Sequence, residues 1–188
     1  MITTRKELKE YLESDAKTFG FNDSFIRRLK QYLVDPMHWQ LPNWMVVKEL
    51  RLSEYYFNNR KKSLFYYLMY VYHIRKLQRW SLKTGIQVPL NIIGKGFAIW
   101  HFGSVVIGAD SIGDNFKIGV NTLIGKKTIN GKGPRIGNHV YLCSGSMIIG
   151  DVTIGDNVTI APNSVVTKNV PSNCIVGGTP AKIIKYYD

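Results

Sequence analysis

This 188-residue chain is short of long apolar runs, of cysteine and histidine, and of acidic side chains relative to basic ones. No stretch of about 18 uninterrupted apolar residues occurs, which excludes a simple membrane-spanning helix. The nearest approach, LFYYLMYVY from Leu64 to Tyr72, is too short to span and reads as a buried helix face. The opening stretch MITTRKELKEYLESD lacks an apolar h-region, so no secretory signal is expected. Two cysteines, Cys143 and Cys174, give neither a disulfide framework nor a zinc spacing. They read as small buried hydrophobes, and a cytoplasmic location fits. Only 13 Asp/Glu face 25 Lys/Arg, a net charge of +12. Residues 1–83 hold 16 of those cations and 8 acids, against 9 and 5 in the remainder. Such a surface favours an anionic partner: a phosphate-bearing ligand, a membrane surface, an acidic glycan or nucleic acid. A solvated basic face is an equal alternative. No nucleic-acid motif is present, so nucleic acid is not expected as a partner.

The first region has helical periodicity. Thr4 and Glu7 stand at capping-box spacing, and Leu8, Tyr11 and Leu12 share one face before Gly20 stops the run. A second run places Phe25, Ile26, Leu29, Tyr32 and Leu33 on one face and stops at Pro36. Pro42 opens a third segment, NWMVVKELRLSEYYF. A fourth runs from about Lys62 to Lys83, with Gly85 as its stop. Its aromatics fall on most faces, which predicts extensive burial.

From Val106 the period changes. Val106, Ile112, Ile118, Ile124, Ile136, Leu142, Ile148, Ile154, Ile160 and Val166 step by six, broken once at Asn130. Gly follows at 113, 119, 125, 131, 137 and 155, and Ala at 161. Thr122, Thr128, Val140, Ser146, Val152, Val158 and Ser164 fill the place four after the aliphatic. A period of six fits neither a helix of 3.6 residues per turn nor an open hairpin sheet. It fits a three-faced solenoid, one hexapeptide per face, with coils stacked about 4.8 Å apart. The aliphatic and the small residue point to the axis, and the glycine is expected to turn the corner through conformations a Cβ penalises.

These hexapeptides resemble the left-handed parallel β-helix of the hexapeptide-repeat acyltransferases. The resemblance spans about Ile86 to Ile184 and ends in VGGTPAKII, Val176 to Ile184, similar to the segment that closes the solenoid in many members. Helices followed by the solenoid resemble the serine acetyltransferase branch, with a shorter helical part. The implied fold is α+β: an α-helical domain over 1–85 and a left-handed parallel β-helix acyltransferase domain over 86–188.

His101 is the candidate base. Ile93 and Ile99 are six apart and Val106 is seven further on, so one residue is gained beside His101, as at bulges near active sites. WHFGSVVIG is similar to the family's Asp-His stretch ending GVVIG, which puts His101 at a catalytic histidine. A neutral imidazole can take the proton of an attacking hydroxyl, a contribution of about 10²- to 10⁴-fold. Three departures stand beside the match. Trp100 replaces the family's aspartate, Ile86 falls where an orienting aspartate is expected, and Lys132-Gly133 replaces an Arg-His pair. They argue against free serine, and Trp100 and Lys132 become candidate acceptor-binding residues for a flatter sugar ring. His139, two coils and two residues beyond His101, reads as an exposed corner. His38 and His73 read as structural.

The family binds acetyl-CoA in the groove between solenoids of a homotrimer. The positions implied here are Gly145, Ala161, Thr167, Lys168 and Lys182, the lysines opposite phosphate or, equally, in solvated loops. The wide loop Gly125–Pro134, with Lys126, Lys127 and Lys132, arches over a ligand or is a glycine-rich excursion. The expected function is a cytoplasmic acetyl-CoA-dependent O-acetyltransferase without a metal, acting on a sugar hydroxyl of a surface glycan or its precursor. The basic helical region could also touch a membrane surface. Serine O-acetyltransferase activity is the alternative, and a non-enzymatic scaffold is an alternative of another class. A zinc carbonic anhydrase on this solenoid needs three histidines, and the repeat holds two.

Overall fold

The computed structural model describes residues 1–20 and 40–187. The expected second helix and His38 lie outside those residues. Among the described residues three helices are seen: α1 (Arg5–Thr18), α2 (Gln40–Asn59) and α3 (Leu64–Thr84). The Thr4–Glu7 capping box forms, with the Glu7 backbone N–H on Thr4 Oγ1 at 3.1 Å and the Thr4 N–H on Glu7 Oε2 at 2.9 Å. Gly85 ends α3 in the left-handed conformation, φ +73°, as its place after the last periodic residue predicts.

Fourteen short strands follow among the described residues: β1 (Ile86–Gln87), β2 (Ala98–Ile99), β3 (Val105–Ile107), β4 (Ser111–Ile112), β5 (Lys117–Ile118), β6 (Thr122–Gly125), β7 (Arg135–Ile136), β8 (Tyr141–Leu142), β9 (Met147–Ile149), β10 (Thr153–Ile154), β11 (Val158–Ile160), β12 (Val165–Val166), β13 (Cys174–Gly178) and β14 (Ala181–Tyr186). They form three faces. Face A runs β1-β3-β6-β9-β12, face B β4-β7-β10, and face C β2-β5-β8-β11-β13-β14. All pairs are parallel except β13–β14, which folds back antiparallel and covers the last edge of face C.

The coils stack in register through the expected aliphatics. Ile99 pairs with Ile118, Ile118 with Leu142, Leu142 with Ile160 and Ile160 with Val176. Ile112, Ile124, Ile136, Ile148, Ile154 and Val166 are buried as well. Val106 is a correction. The ladder pairs Val105 with Thr122 and Ile107 with Ile124, so Val105 and Ile107 point inward and Val106 outward. The segment from Ile99 to Ile107 therefore holds two residues more than the period, and the one from Ile107 to Ile112 one fewer. The place two before the aliphatic is also not always small: Phe97 and Phe116 fill it in the first coils, stacked with ring centroids 6.1 Å apart.

The glycines act differently from expectation. Gly113 and Gly137 have ordinary backbones, but a Cβ on either would lie 2.7 Å or 2.9 Å from the carbonyl of the next coil's glycine. Close approach of coils demands them. The positive φ falls two residues later, on Asn115, Asn121, Asn157 and Asn163. Asn tolerates that region better than other L residues with a Cβ.

The helices cover the open first coil. Arg51 of α2 is fully buried and donates to Asp15 Oδ2 at 2.8 Å, Glu54 Oε2 at 3.1 Å, and the carbonyls of Ile93 at 2.9 Å and Gly94 at 2.5 Å. Asp15 accepts from the Phe97 N–H at 2.8 Å, and Glu54 from the Asn91 N–H at 2.8 Å. Burial works against the guanidinium charge, but Asp15 and Glu54 outweigh it and hold Arg51 firmly protonated. Two further corrections concern side chains. Leu64, Phe65, Tyr67, Leu68 and Tyr72 of α3 are exposed rather than buried, because only one stripe of α3 meets α2. Cys174 is buried as expected, but Cys143 only half so.

Replacing Arg51 by Met should leave two buried carboxylates without their cation. We expect a loss of about 3–5 kcal/mol in urea denaturation, and a wild-type midpoint would contradict the role given to this residue.

Candidate active site

The edge where face C turns into face A carries most of the candidate residues. In the next coil that corner is three residues long, Gly119-Val120-Asn121. In the first coil it is Trp100-His101-Phe102-Gly103-Ser104, two residues more. Trp100 stays in the ladder, its N–H on the Ile118 carbonyl at 2.9 Å. The chain then swings out, with His101 at φ +67° and exposed. It returns at Gly103, φ +152°, where a Cβ would lie 2.8 Å from that of Val120. Two hydrogen bonds from α2 pin the excursion. Asn43 Nδ2 donates to the Ile99 carbonyl at 3.1 Å and to the His101 carbonyl at 2.6 Å. The imidazole is thus carried outward on a backbone held from within.

Below His101 on the same edge come Gly145, at φ +76°, and Ala161, half-buried at the start of its corner. At the end of the column β13 and β14 pair Gly177 with Lys182. A Cβ on Gly177 would lie 2.6 Å from Ile184 Cδ1 and 3.1 Å from Ala161 Cβ, so chain and strand meet closely there. His101, Gly145, Ala161 and Lys182 therefore share one edge, with the imidazole at one end and the ammonium at the other.

Lys132, Thr167 and Lys168 lie elsewhere, at the edge where face A turns into face B, and all three are exposed. The loop Gly125–Pro134 projects from that edge, with Ile129 96% exposed. Beneath it a hollow of about 330 Å³ is lined by Lys127, Ile149, Gly150, Asp151, Val152 and Thr167. One chain thus separates His101 from Lys132 by the width of face A. Gly133 is buried. A Cβ there would lie 2.8 Å from the Gly108 carbonyl oxygen and 3.0 Å from the Asp110 nitrogen, so no histidine fits. Ile86 is buried in β1 opposite Val105 and belongs to the core.

Trp100 also borders a second hollow, of about 730 Å³, with Ser14, Lys17, Thr18, Asn115, Lys117, His139, Val140 and Tyr141. His139 sits at the corner of faces B and C, exposed, with φ +55° and its Nε2 3.4 Å from Asn115 Nδ2. It shares no corner with His101. His73 is buried, its Nδ1 2.7 Å from Glu49 Oε2, a structural pairing as expected. Burial pushes the Cys143 thiol up, which leaves it a poor nucleophile beside the edge. Asn43 was not anticipated. Its only signal is a polar residue in the apolar run following Pro42, and what it holds lies 56 and 58 residues away.

Residues 133–168 match the bacterial transferase hexapeptide family (six repeats). No curated protein matches the chain. Among solved structures, a Neisseria gonorrhoeae serine acetyltransferase aligns with TM-score 0.73 at 19% identity, over 98% of this chain and 69% of its own. The same organism's enzyme in complex with serine gives 0.70 at 19%, over 96% and 70%. A Brucella abortus serine acetyltransferase in complex with coenzyme A gives 0.71 at 24%, over 98% and 70%. The fold is therefore that of the hexapeptide-repeat transferases, a left-handed parallel β-helix behind a helical region, and it resembles the serine acetyltransferases.

Replacing Asn43 by Leu should free both carbonyls it holds. We expect a loss of about 1–3 kcal/mol in denaturant unfolding, together with faster amide exchange from Trp100 to Ser104. Unchanged exchange in that corner would show that Asn43 does not position it.

Proposed function

We propose that this chain is an acetyl-CoA-dependent O-acetyltransferase with His101 as general base. The observation that carries the reading is the single edge shared by His101, Gly145, Ala161 and Lys182. An extended thioester cofactor suits a straight column of coil corners. Its pantetheine arm would run past Gly145 and Ala161, where corners are small and backbone groups are near the surface. Lys182 then offers a cation to the phosphate end. His101 receives the proton of the acceptor hydroxyl as its oxygen attacks the thioester carbonyl. The carbon–sulfur bond breaks, the coenzyme leaves as thiol, and the same imidazole is placed to return the proton.

Lys132, Thr167 and Lys168 can join this groove only from another copy, because one chain holds them across face A. A closed three-fold assembly with one chain's face C–A edge beside its neighbour's face A–B edge satisfies every candidate residue at once.

L-serine is the acceptor that the comparisons support best. The likeness to serine acetyltransferases spans both helices and solenoid, and one of those enzymes is in complex with serine. The glycan acceptor expected from Trp100 becomes the second reading. Gly133, where the packing leaves no room for a second histidine, is the specific observation in its favour.

His101→Asn tests the base. Asn already holds positive φ at neighbouring corners, so the variant should keep its unfolding temperature while acetyl transfer falls about 10²- to 10⁴-fold. Wild-type turnover in the variant would remove His101 from the chemistry. L-serine and a sugar panel assayed side by side separate the acceptors: turnover of serine supports the first reading, and turnover of a sugar alone replaces it with the second.

A further inference from the structure

We infer that the outward face of α3 docks this protein on an anionic lipid surface, independently of the reaction at His101. Between Glu54 and Asp110 the chain contains no Asp or Glu. That interval includes all of α3 and the turn before it, with Lys61, Lys62, Arg75, Arg79 and Lys83 exposed. The inward stripe of α3 is already taken. His73 and Leu77 are buried, Tyr70 meets Phe57 with ring centroids 5.4 Å apart, His73 stacks on Tyr56 at 5.1 Å, and Lys76 pairs with Glu49 at 2.7 Å. The outward stripe carries Leu64, Phe65, Leu68 and Tyr72, each more than half exposed.

The arrangement along the axis fits a headgroup layer. Lys61 and Lys62 precede the apolar patch, and Arg75, Arg79 and Lys83 follow it one turn apart. From Leu64 to Lys83 the helix is about 29 Å long at 1.5 Å per residue, with the patch occupying about 12 Å near one end. Laid flat, the helix puts Leu64, Phe65, Leu68 and Tyr72 at the acyl boundary and cations among headgroup phosphates on both sides. No helix among the described residues is long and apolar enough to cross a membrane, so the contact is peripheral. A second copy is the rival occupant of this face. Two such faces related by a two-fold would set cations against cations with no acid in either to offset them. An anionic lipid supplies the charge the face lacks.

Vesicle cosedimentation of the full chain tests this, with phosphatidylglycerol-containing vesicles beside pure phosphatidylcholine vesicles. We expect at least tenfold tighter binding to the anionic vesicles, weakening as salt rises. The double variant Phe65→Ser/Leu68→Ser should abolish most of it. The triple variant Arg75→Ser/Arg79→Ser/Lys83→Ser should weaken it about 100-fold. All five positions are exposed, so both variants should keep the wild-type unfolding curve. The inference is overturned by equal binding to the two vesicles, by no binding to either, or by undiminished binding of both variants while folded. It is overturned too if Phe65→Ser/Leu68→Ser lowers the assembly mass while the wild type ignores vesicles, since a second copy then covers the face.

Discussion

The structure depends on closing the first coil of the solenoid. A β-helix has an end where N–H and C=O groups point along the axis with no coil beyond them, a cost for any buried backbone. Here one side chain does most of the closing. Arg51 takes the Ile93 and Gly94 carbonyls with two of its nitrogens and is held by Asp15 of α1 and Glu54 of α2. The carboxylates in turn take the Phe97 and Asn91 N–H groups. Donors and acceptors of the first coil thus exchange bonds with a buried Arg–Asp–Glu cluster. The helical region is the lid of the solenoid.

The same lid shapes the site. Asn43, two turns before Arg51 on α2, reaches the Ile99 and His101 carbonyls where face C ends. The corner there is two residues too long for a hexapeptide, and it needs an anchor to project a side chain in a fixed direction. From that corner the edge continues through regular corners to β14, where the antiparallel return closes the other end of face C. This edge therefore runs between two capping devices, one helical and one strand-like. The column between them is as straight as the stacking of coils that the close approach of Gly113 and Gly137 permits.

Much of this was legible in the sequence, in proportion to how local its cause is. The six-residue period identified the inward aliphatics from Ile112 to Val166, since each is set by its own hexapeptide. It failed by one residue at Val105-Val106-Ile107. Three aliphatics in a row satisfy either register, and the longer corner at His101 is partly compensated by a shorter one after Ile107. The glycines were found, but the reason assigned to them belongs to the asparagines two places on. The exposure of Phe65 and Leu68 is not legible, because an aromatic-rich helix does not declare which faces have partners. Arg51 and Asn43 were not legible as anchors, since the solenoid carbonyls they hold lie at least 42 residues away. The split of candidate residues between two edges became visible only once the loop Gly125–Pro134 was placed on its own corner.

The proposed cofactor groove is the edge from His101 to Lys182. A crystal structure of the protein with bound coenzyme A tests it most directly. The account predicts the thiol beside the His101 imidazole and the phosphates toward Lys182, with a neighbouring copy's Lys132 or Lys168 on the opposite wall. Coenzyme A seated on another face, or bound with its thiol at the Lys182 end, would contradict it.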